Sequence, residues 1–153
     1  MTELRPGVFS AGFARLSAEG EIKGRLGLGE LAAAVEKQAK TNASNGRHAY
    51  GTPTPARPGE GPARITGALV ASVTHSAIMR DPAGWSTKVG PALDAAPRRG
   101  RTPPHKYGNY LETGLKNGEK YPWLKPAAEF ATRISAVTIF NTKYGAGGWA
   151  RVF

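Results

Sequence analysis

The clearest pattern of apolar and polar positions runs through residues 30–41. Apolar side chains recur there at intervals of three and four, the spacing of one face of an α-helix. That face is formed by Leu31, Ala34, Val35 and Gln38. Glu36 precedes Lys40 by four residues, the order in which an ion pair stabilises a helix. The pattern therefore predicts a helix over residues 30–41.

Three other segments show no such period. Residues 1–27 mix small apolar side chains with glycine, and residues 43–62 are rich in proline, which fixes φ and removes a hydrogen-bond donor. Residues 145–153 begin with a glycine-rich run. These compositions predict an extended N-terminal arm, a proline-rich loop and a flexible C-terminal tail, attached to a single domain of residues 28–144.

Two further helices are predicted from prolines that suit a first helical turn. Pro62 precedes apolar residues that recur every four positions: Ile65, Leu69 and Val73. Pro126 begins a segment that reaches Tyr144, with an apolar stripe formed by Phe130, Ile134, Val137, Phe140 and Tyr144. The β-branched run Val137–Ile139 leaves a strand open as the alternative there, and Tyr107–Glu112 is predicted to be a short helix or turn.

A β-hairpin is predicted in the middle of the chain. Val73–Arg80 and Trp85–Val89 have the composition of strands. Asp81–Gly84 lies between them, with a proline that pre-sets φ and a glycine that tolerates a positive φ, as tight turns require. The predicted fold class is therefore α+β: a small antiparallel hairpin sheet packed with two or three helices, with long loops and extended termini.

The charge is strongly basic. The 153 residues include 21 Lys and Arg against 11 Asp and Glu, a net charge of +10. The densest cluster lies in a predicted basic loop, residues 91–106, which carries Arg98, Arg99, Arg101 and Lys106. A basic surface attracts polyanions such as nucleic acid or an acidic protein face. The loop is therefore either a solvated basic segment or a contact with DNA or an acidic partner.

Candidate chemistry is sparse. The chain has no cysteine, and His48, His75 and His105 stand apart from other residues at metal-ligand spacing. Gly27–Ala32 loosely fits a dinucleotide-binding fingerprint, but no buried strand precedes it as that motif requires. We therefore expect no catalytic residues, no metal and no cofactor, and a protein that is not an enzyme.

No apolar stretch approaches the roughly 18–20 residues of a membrane span. The N-terminal residues lack the basic start and apolar run of a signal peptide. We therefore expect a soluble protein made in a cytoplasm, with no membrane partner.

Three stretches together resemble one protein family. The first is the end of the alanine-rich helix, Gln38–Ala43, followed by a proline-bearing loop. The second is Ile65–Val73, similar to a Thr-Gly-x-Leu-x-x-Ser-Ile/Val step into a hairpin. The third joins Tyr107–Gly114, similar to Tyr-x-x-Tyr-x-Glu-x-Gly, to Tyr121–Ala127, similar to Pro-Phe/Trp-Leu-x-Pro-Ala. In this order and spacing they resemble the neck or tail-completion (head–tail joining) family of long-tailed bacteriophages, which includes lambdoid minor tail protein Z.

The resemblance covers about residues 28–135. It implies a structural virion protein in the phage neck, assembled in the host cytoplasm into a homo-oligomeric ring of six or twelve copies. Its implied partners are itself, the head-completion or adaptor proteins, the tail terminator or tail tube proteins, and genomic DNA in the channel. The proline-rich loop, the basic insert and the terminal extensions depart from the family pattern.

Four residues in these stretches are candidates for subunit contacts: Tyr110, Glu112, Trp123 and Leu124. Trp123 and Leu124 lie between two prolines, and domain core and subunit contact both remain open for them. For Glu112, a bond to backbone donors in the turn and a bond to an arginine of a neighbouring subunit both remain open. Arg98, Arg99, Arg101 and Lys106 are candidates for contact with DNA or an acidic partner. The alternative function is a basic nucleic-acid-binding protein that acts outside a virion, with Tyr107, Tyr110 and Tyr121 stacking on bases.

Overall fold

The computed structural model describes residues 6–47, 56–98 and 102–145. The helices are α1 (Pro6–Asn42), α2 (Ala68–Ser72), α3 (Pro104–Thr113), α4 (Leu124–Phe130) and α5 (Ala136–Tyr144); the strands are β1 (Val73–His75), β2 (Met79–Asp81), β3 (Gly84–Ser86) and β4 (Val89–Pro91). The strands form two antiparallel pairs, β1 with β4 and β2 with β3. These elements confirm the predicted α+β class.

Helix α1 confirms the predicted helix over residues 30–41 but begins much earlier, at Pro6. The expected extended conformation is therefore wrong for residues 6–27, which are helical, whereas residues 1–5 lie outside the described residues. At 37 residues the helix is about 55 Å long. The sequence pattern did not predict a helix over residues 6–27 because the segment contains glycines, and glycine lowers helix propensity by about 1 kcal/mol relative to alanine.

At two of those glycines, Gly24 and Gly27, the absence of a side chain allows α5 to pack closely against α1. A Cβ added to Gly27 would lie 2.7 Å from Cε1 of Phe140, and one added to Gly24 would lie 2.9 Å from the Tyr144 hydroxyl. The Tyr144 hydroxyl also donates a hydrogen bond to the Gly20 carbonyl at 2.8 Å. Close packing of α5 against α1 thus explains a glycine-rich segment that only loosely fits a dinucleotide motif.

The hairpin is confirmed, with an offset that the sequence did not predict. His75 pairs with Val89, and Met79 pairs with Ser86. Three residues, 76–78, therefore lie between these pairs on one side of the hairpin, and two residues, 87–88, lie on the other. The extra residue shifts the register by one, as a β-bulge does. The turn falls at Asp81–Gly84 as predicted: the Ala83 N–H donates to Asp81 Oδ1 at 2.9 Å, and Gly84 has φ 134°.

The helix predicted from Pro62 is mostly wrong. Only α2, five residues long, is helical, because Gly67 adopts a left-handed conformation with φ 72° immediately before it. Ile65, expected on the apolar face, is 68% exposed. Between α1 and α2 the described residues, 43–47 and 56–67, are irregular.

The helix predicted from Pro126 to Tyr144 is confirmed, starting two residues earlier at Leu124, and the strand alternative is wrong. A π-helical turn, Ala131–Ser135, joins α4 to α5. The predicted stripe does not form the core: Phe130, Ile134 and Val137 are 48%, 58% and 61% exposed. The buried face consists of Ala127 and Ala131 instead. Of the predicted C-terminal tail, only Gly145 lies within the described residues.

The core brings distant segments together. Its buried cluster consists of Ala39, Ala43, Leu69, Val73, Trp123 and Ala127. Val70, Tyr107, Leu111 and Leu124 pack against it. No helix in the described ranges is long and apolar enough to cross a membrane.

Candidate interaction surfaces

Glu112, near the end of α3, caps the start of α4. Its carboxylate accepts hydrogen bonds from three consecutive backbone N–H groups, those of Trp123, Leu124 and Lys125, at 2.9, 3.0 and 3.0 Å. The first N–H groups of a helix have no partner within it, and the positive end of the helix dipole favours an anion. We call Glu112 and these three donors the Glu112 cap. It assigns Glu112 a role inside the subunit rather than at a subunit contact.

Trp123 is the central core side chain and is 1% exposed. Its Nε1–H donates to the Gly108 carbonyl at 3.1 Å, and its own carbonyl accepts from Asn42 Nδ2 at 3.0 Å. A Cβ at Gly108 would lie 2.9 Å from Leu69 Cδ1 and 3.3 Å from the Trp123 ring. The core interpretation of Trp123 is therefore correct, and the residue is not presented to a neighbouring subunit.

The remaining interface candidates differ in exposure. Leu124 is half-buried and packs against the core cluster. Tyr110, on the outer face of α3, is 50% exposed. Among the four candidates, Tyr110 alone is an exposed aromatic side chain of the kind that anchors protein interfaces.

The structure describes two of the four basic candidates. Arg98 and Lys106 are exposed, and Arg99 and Arg101 lie outside the described residues. The predicted basic loop 91–106 is shorter than expected, since Pro91 ends β4 and Lys106 lies in α3. Arg98 and Lys106 are thus accessible to solvent, as a contact with a polyanion requires.

An open pocket of about 370 Å³ lies beside α2 and α3. Its apolar wall includes Ile65, Leu69, Val70, Tyr107, Leu111 and Tyr121. Burial raises the pKa of Tyr107 and of Tyr121, with a hydrogen bond to Glu119 adding to the rise for Tyr121, so both phenols stay neutral. The charged residues that line the pocket are Arg64 and Arg98. Sequence reasoning missed this pocket because it placed residues 62–67 in a helix.

A charged cluster joins α1 to β1. Glu36 binds Lys40 and also contacts His75 Nδ1 at 2.6 Å. The Lys40 hydrogen bond, aided by His75, holds the pKa of Glu36 below its usual value, although burial opposes the shift. Within the described residues no hydroxyl is hydrogen-bonded to the imidazole of His75, and no three His, Asp or Glu side chains are grouped as metal ligands.

A second cluster fastens the hairpin tip to α1. The Trp85 ring lies 5.4 Å from the Arg25 guanidinium and 5.5 Å from that of Arg80, distances that allow cation–π attraction. Arg80 also donates two hydrogen bonds to the Glu21 carboxylate at 3.1 and 3.3 Å. The sequence indicated neither this cluster nor the pairing of Glu36 with His75, since the partners are 39 or more residues apart.

Comparisons with models of protein families, with curated proteins and with solved structures gave no match. The functional proposal below therefore depends on the residues of this chain and on their arrangement.

Proposed function

We propose that this chain is a non-enzymatic structural subunit of the neck of a long-tailed bacteriophage. Copies of it form a ring that joins the DNA-filled head to the tail, and genomic DNA passes through the channel. Its neighbours in this role are the head-completion or adaptor proteins on one side and the tail terminator or tail tube proteins on the other.

The observation that carries this proposal is the meeting of the three neck-like stretches in one core. The stretch 38–43 contributes Ala39 and Ala43, and the stretch 65–73 contributes Leu69 and Val73. The second part of the third stretch contributes Trp123 and Ala127, and it is joined to the first part through the Glu112 cap. Motifs that pack together in space are constrained to keep their order and spacing, which supports treating the resemblance as one structural unit.

The exposed apolar side chains also support an assembly role. Phe130, Ile134 and Val137 lie three or four residues apart and face solvent, on α4, the π-helical turn and α5 respectively. Single exposed apolar residues are normal on a monomer, whereas a contiguous apolar face marks an interaction site. A ring subunit covers such faces with neighbouring chains.

An early stop codon in the phage gene tests the proposal. We expect electron micrographs of the lysates to show DNA-filled heads and free, full-length tails, because neither part can join without the connector. The matched control supplies the wild-type gene in trans, which should restore joined, infectious particles. Normal infectious virions from the stop-codon phage would contradict the proposal.

The basic loop has its own test in the same complemented phage. If the loop contacts DNA phosphates or an acidic neighbour, replacing Arg98, Arg99 and Arg101 with Ser should reduce joining or DNA ejection. Replacing Lys37, Lys116 and Lys120, three exposed lysines outside the loop, with Ser provides the control for three lost charges. Unchanged assembly and ejection in the arginine variant would remove the loop from the contact.

The alternative, nucleic-acid binding outside a virion, is supported by the +10 charge. Its stacking residues are less favourable: Tyr121 is 2% exposed and Tyr107 is half-buried, which leaves Tyr110 accessible among the three. Binding of the isolated chain to DNA that weakens steeply with salt would favour this alternative, because neutralised phosphates release counterions.

A further inference from the structure

The pocket beside α2 and α3 has the chemistry of a docking site. Its wall is apolar, its rim carries the exposed side chains of Ile65 (68%) and Leu115 (37%), and none of the described residues that line it is acidic. Arg64 and Arg98 supply two positive charges at its edge and make no salt bridge among the described residues. A dry apolar cavity of about 150 Å³ already holds a molecule the size of benzene. The pocket therefore suits one or two apolar side chains next to a carboxylate.

The chain presents such a pair on a turn. Ala92–Ala95 is closed by a hydrogen bond from the Ala95 N–H to the Ala92 carbonyl at 3.3 Å, and the Ala92 N–H is held by the Ser72 carbonyl at 2.8 Å. Leu93, on this turn, is 81% exposed. Asp94 beside it is exposed and forms no salt bridge within the same ranges.

We infer that the Leu93–Asp94 turn of one copy docks into the pocket of a second copy. Leu93 enters the apolar wall, and Asp94 pairs with Arg64 and Arg98 at the edge. Leu93 does not fill the pocket of its own chain, since it is exposed there. The inference rests on the proposed ring, for which it names the contact between subunits.

In the proposed ring the contact is heterologous: the turn of each copy enters the pocket of the next copy, so copies join head to tail and close into a ring when the rotation permits. Burial of a leucine side chain changes an association constant by about ten- to a hundredfold. Leu93→Asp should therefore weaken self-association of the full chain by at least about tenfold in sedimentation experiments.

Cross-linking tests the contact directly, because the chain has no cysteine of its own. Chains carrying Leu93→Cys are mixed with chains carrying Ile65→Cys and treated with a short bis-maleimide. We expect a covalent heterodimer in high yield. The control mixes Ile65→Cys with Met79→Cys, whose native side chain is 66% exposed but lies on β2 away from the turn. Equal yields from the two mixtures would overturn the inference.

Mixing defective chains supplies a second test. A Leu93→Asp chain has a damaged turn and an Ile65→Asp chain has a damaged pocket, so each alone should stay monomeric. Together they retain one intact turn and one intact pocket, and we expect heterodimers that grow no further. Larger assemblies of either variant alone would overturn the inference.

Failure of this contact is distinguishable from failure of the proposed function. If Leu93→Asp supplied in trans restores joined particles to the stop-codon phage, the docking contact is wrong while the neck assignment stands. If the stop-codon phage already yields normal virions, the neck assignment is wrong, and the cross-linking result alone decides whether the chains associate.

Discussion

Removing the Glu112 carboxylate tests how the subunit is held together. Glu112→Ala leaves the N–H groups of Trp123, Leu124 and Lys125 without their acceptor. Lys125 is exposed, so water replaces the lost bond there, whereas the N–H groups of Trp123 and Leu124 are partly buried. The substitution therefore disturbs the attachment between α3 and the start of α4.

The expected loss of stability is about 2–3 kcal/mol. Each of the two partly buried donors left unpaired costs about 1 kcal/mol or more, and this cost already includes the loss of the helix cap. That is a large part of the roughly 5–15 kcal/mol that stabilises a typical domain. Glu112→Gln keeps one carbonyl oxygen but loses the negative charge at the helix end, so we expect a smaller loss of about 1–2 kcal/mol.

Urea unfolding followed by tryptophan fluorescence and far-UV circular dichroism measures the change. Glu129→Ala is the matched control, because Glu129 is exposed on α4 and makes no hydrogen bond or salt bridge among the described residues. It should change the free energy of unfolding by less than about 0.5 kcal/mol. If Glu112→Ala and Glu129→Ala unfold at the same urea concentration with the same slope, the Glu112 cap does not stabilise the fold.

Two further predictions concern α1. Gly27→Ala should be less stable than Gly20→Ala by about 2 kcal/mol in the same assay. The methyl added at position 27 meets the Phe140 ring, whereas nothing lies within 4 Å of a methyl added at position 20. Equal stability of the two variants would contradict the close packing of α5 against α1. The pKa of Glu36 lies below its usual 4.5, mainly because of Lys40. The ionised Glu36 carboxylate therefore stabilises the fold above pH 4.5, and this stabilisation is lost as pH falls through the lowered pKa. Unfolding measured from pH 6 to 3 should show this loss in the wild type, at less than about 1 kcal/mol, and an acid dependence unchanged in Glu36→Gln would refute it.

The sequence by itself determined the elements with strong local signals. The helix at residues 30–41 follows from apolar spacing, and the turn at Asp81–Gly84 follows from proline and glycine chemistry. The helix that reaches Tyr144 and the α+β class follow in the same way. These features depend on neighbours within a few residues, so the chain encodes them without reference to the rest of the molecule.

Other features were decided only by the tertiary structure. Glycines at 24 and 27 weaken a helix locally, yet α1 runs through them because they admit the aromatic rings of α5. That close approach requires small side chains, so Ala127 and Ala131 are buried while Phe130 and Ile134 of the predicted stripe face solvent. Helical spacing identifies a face but not the neighbour that covers it.

The candidate surfaces likewise include features that the sequence indicated and features that only the tertiary structure decided. The neck-like stretches drew attention to Glu112 and Trp123, but only their contacts show that one caps α4 and the other fills the core. The pocket with Arg64 and Arg98 had no local signal, since its walls come from segments as far apart in the chain as Ala43 and Tyr121 and were brought together by folding. The spacing of apolar residues indicates which residues belong to one helix or strand, whereas packing between distant segments decides which surfaces remain exposed.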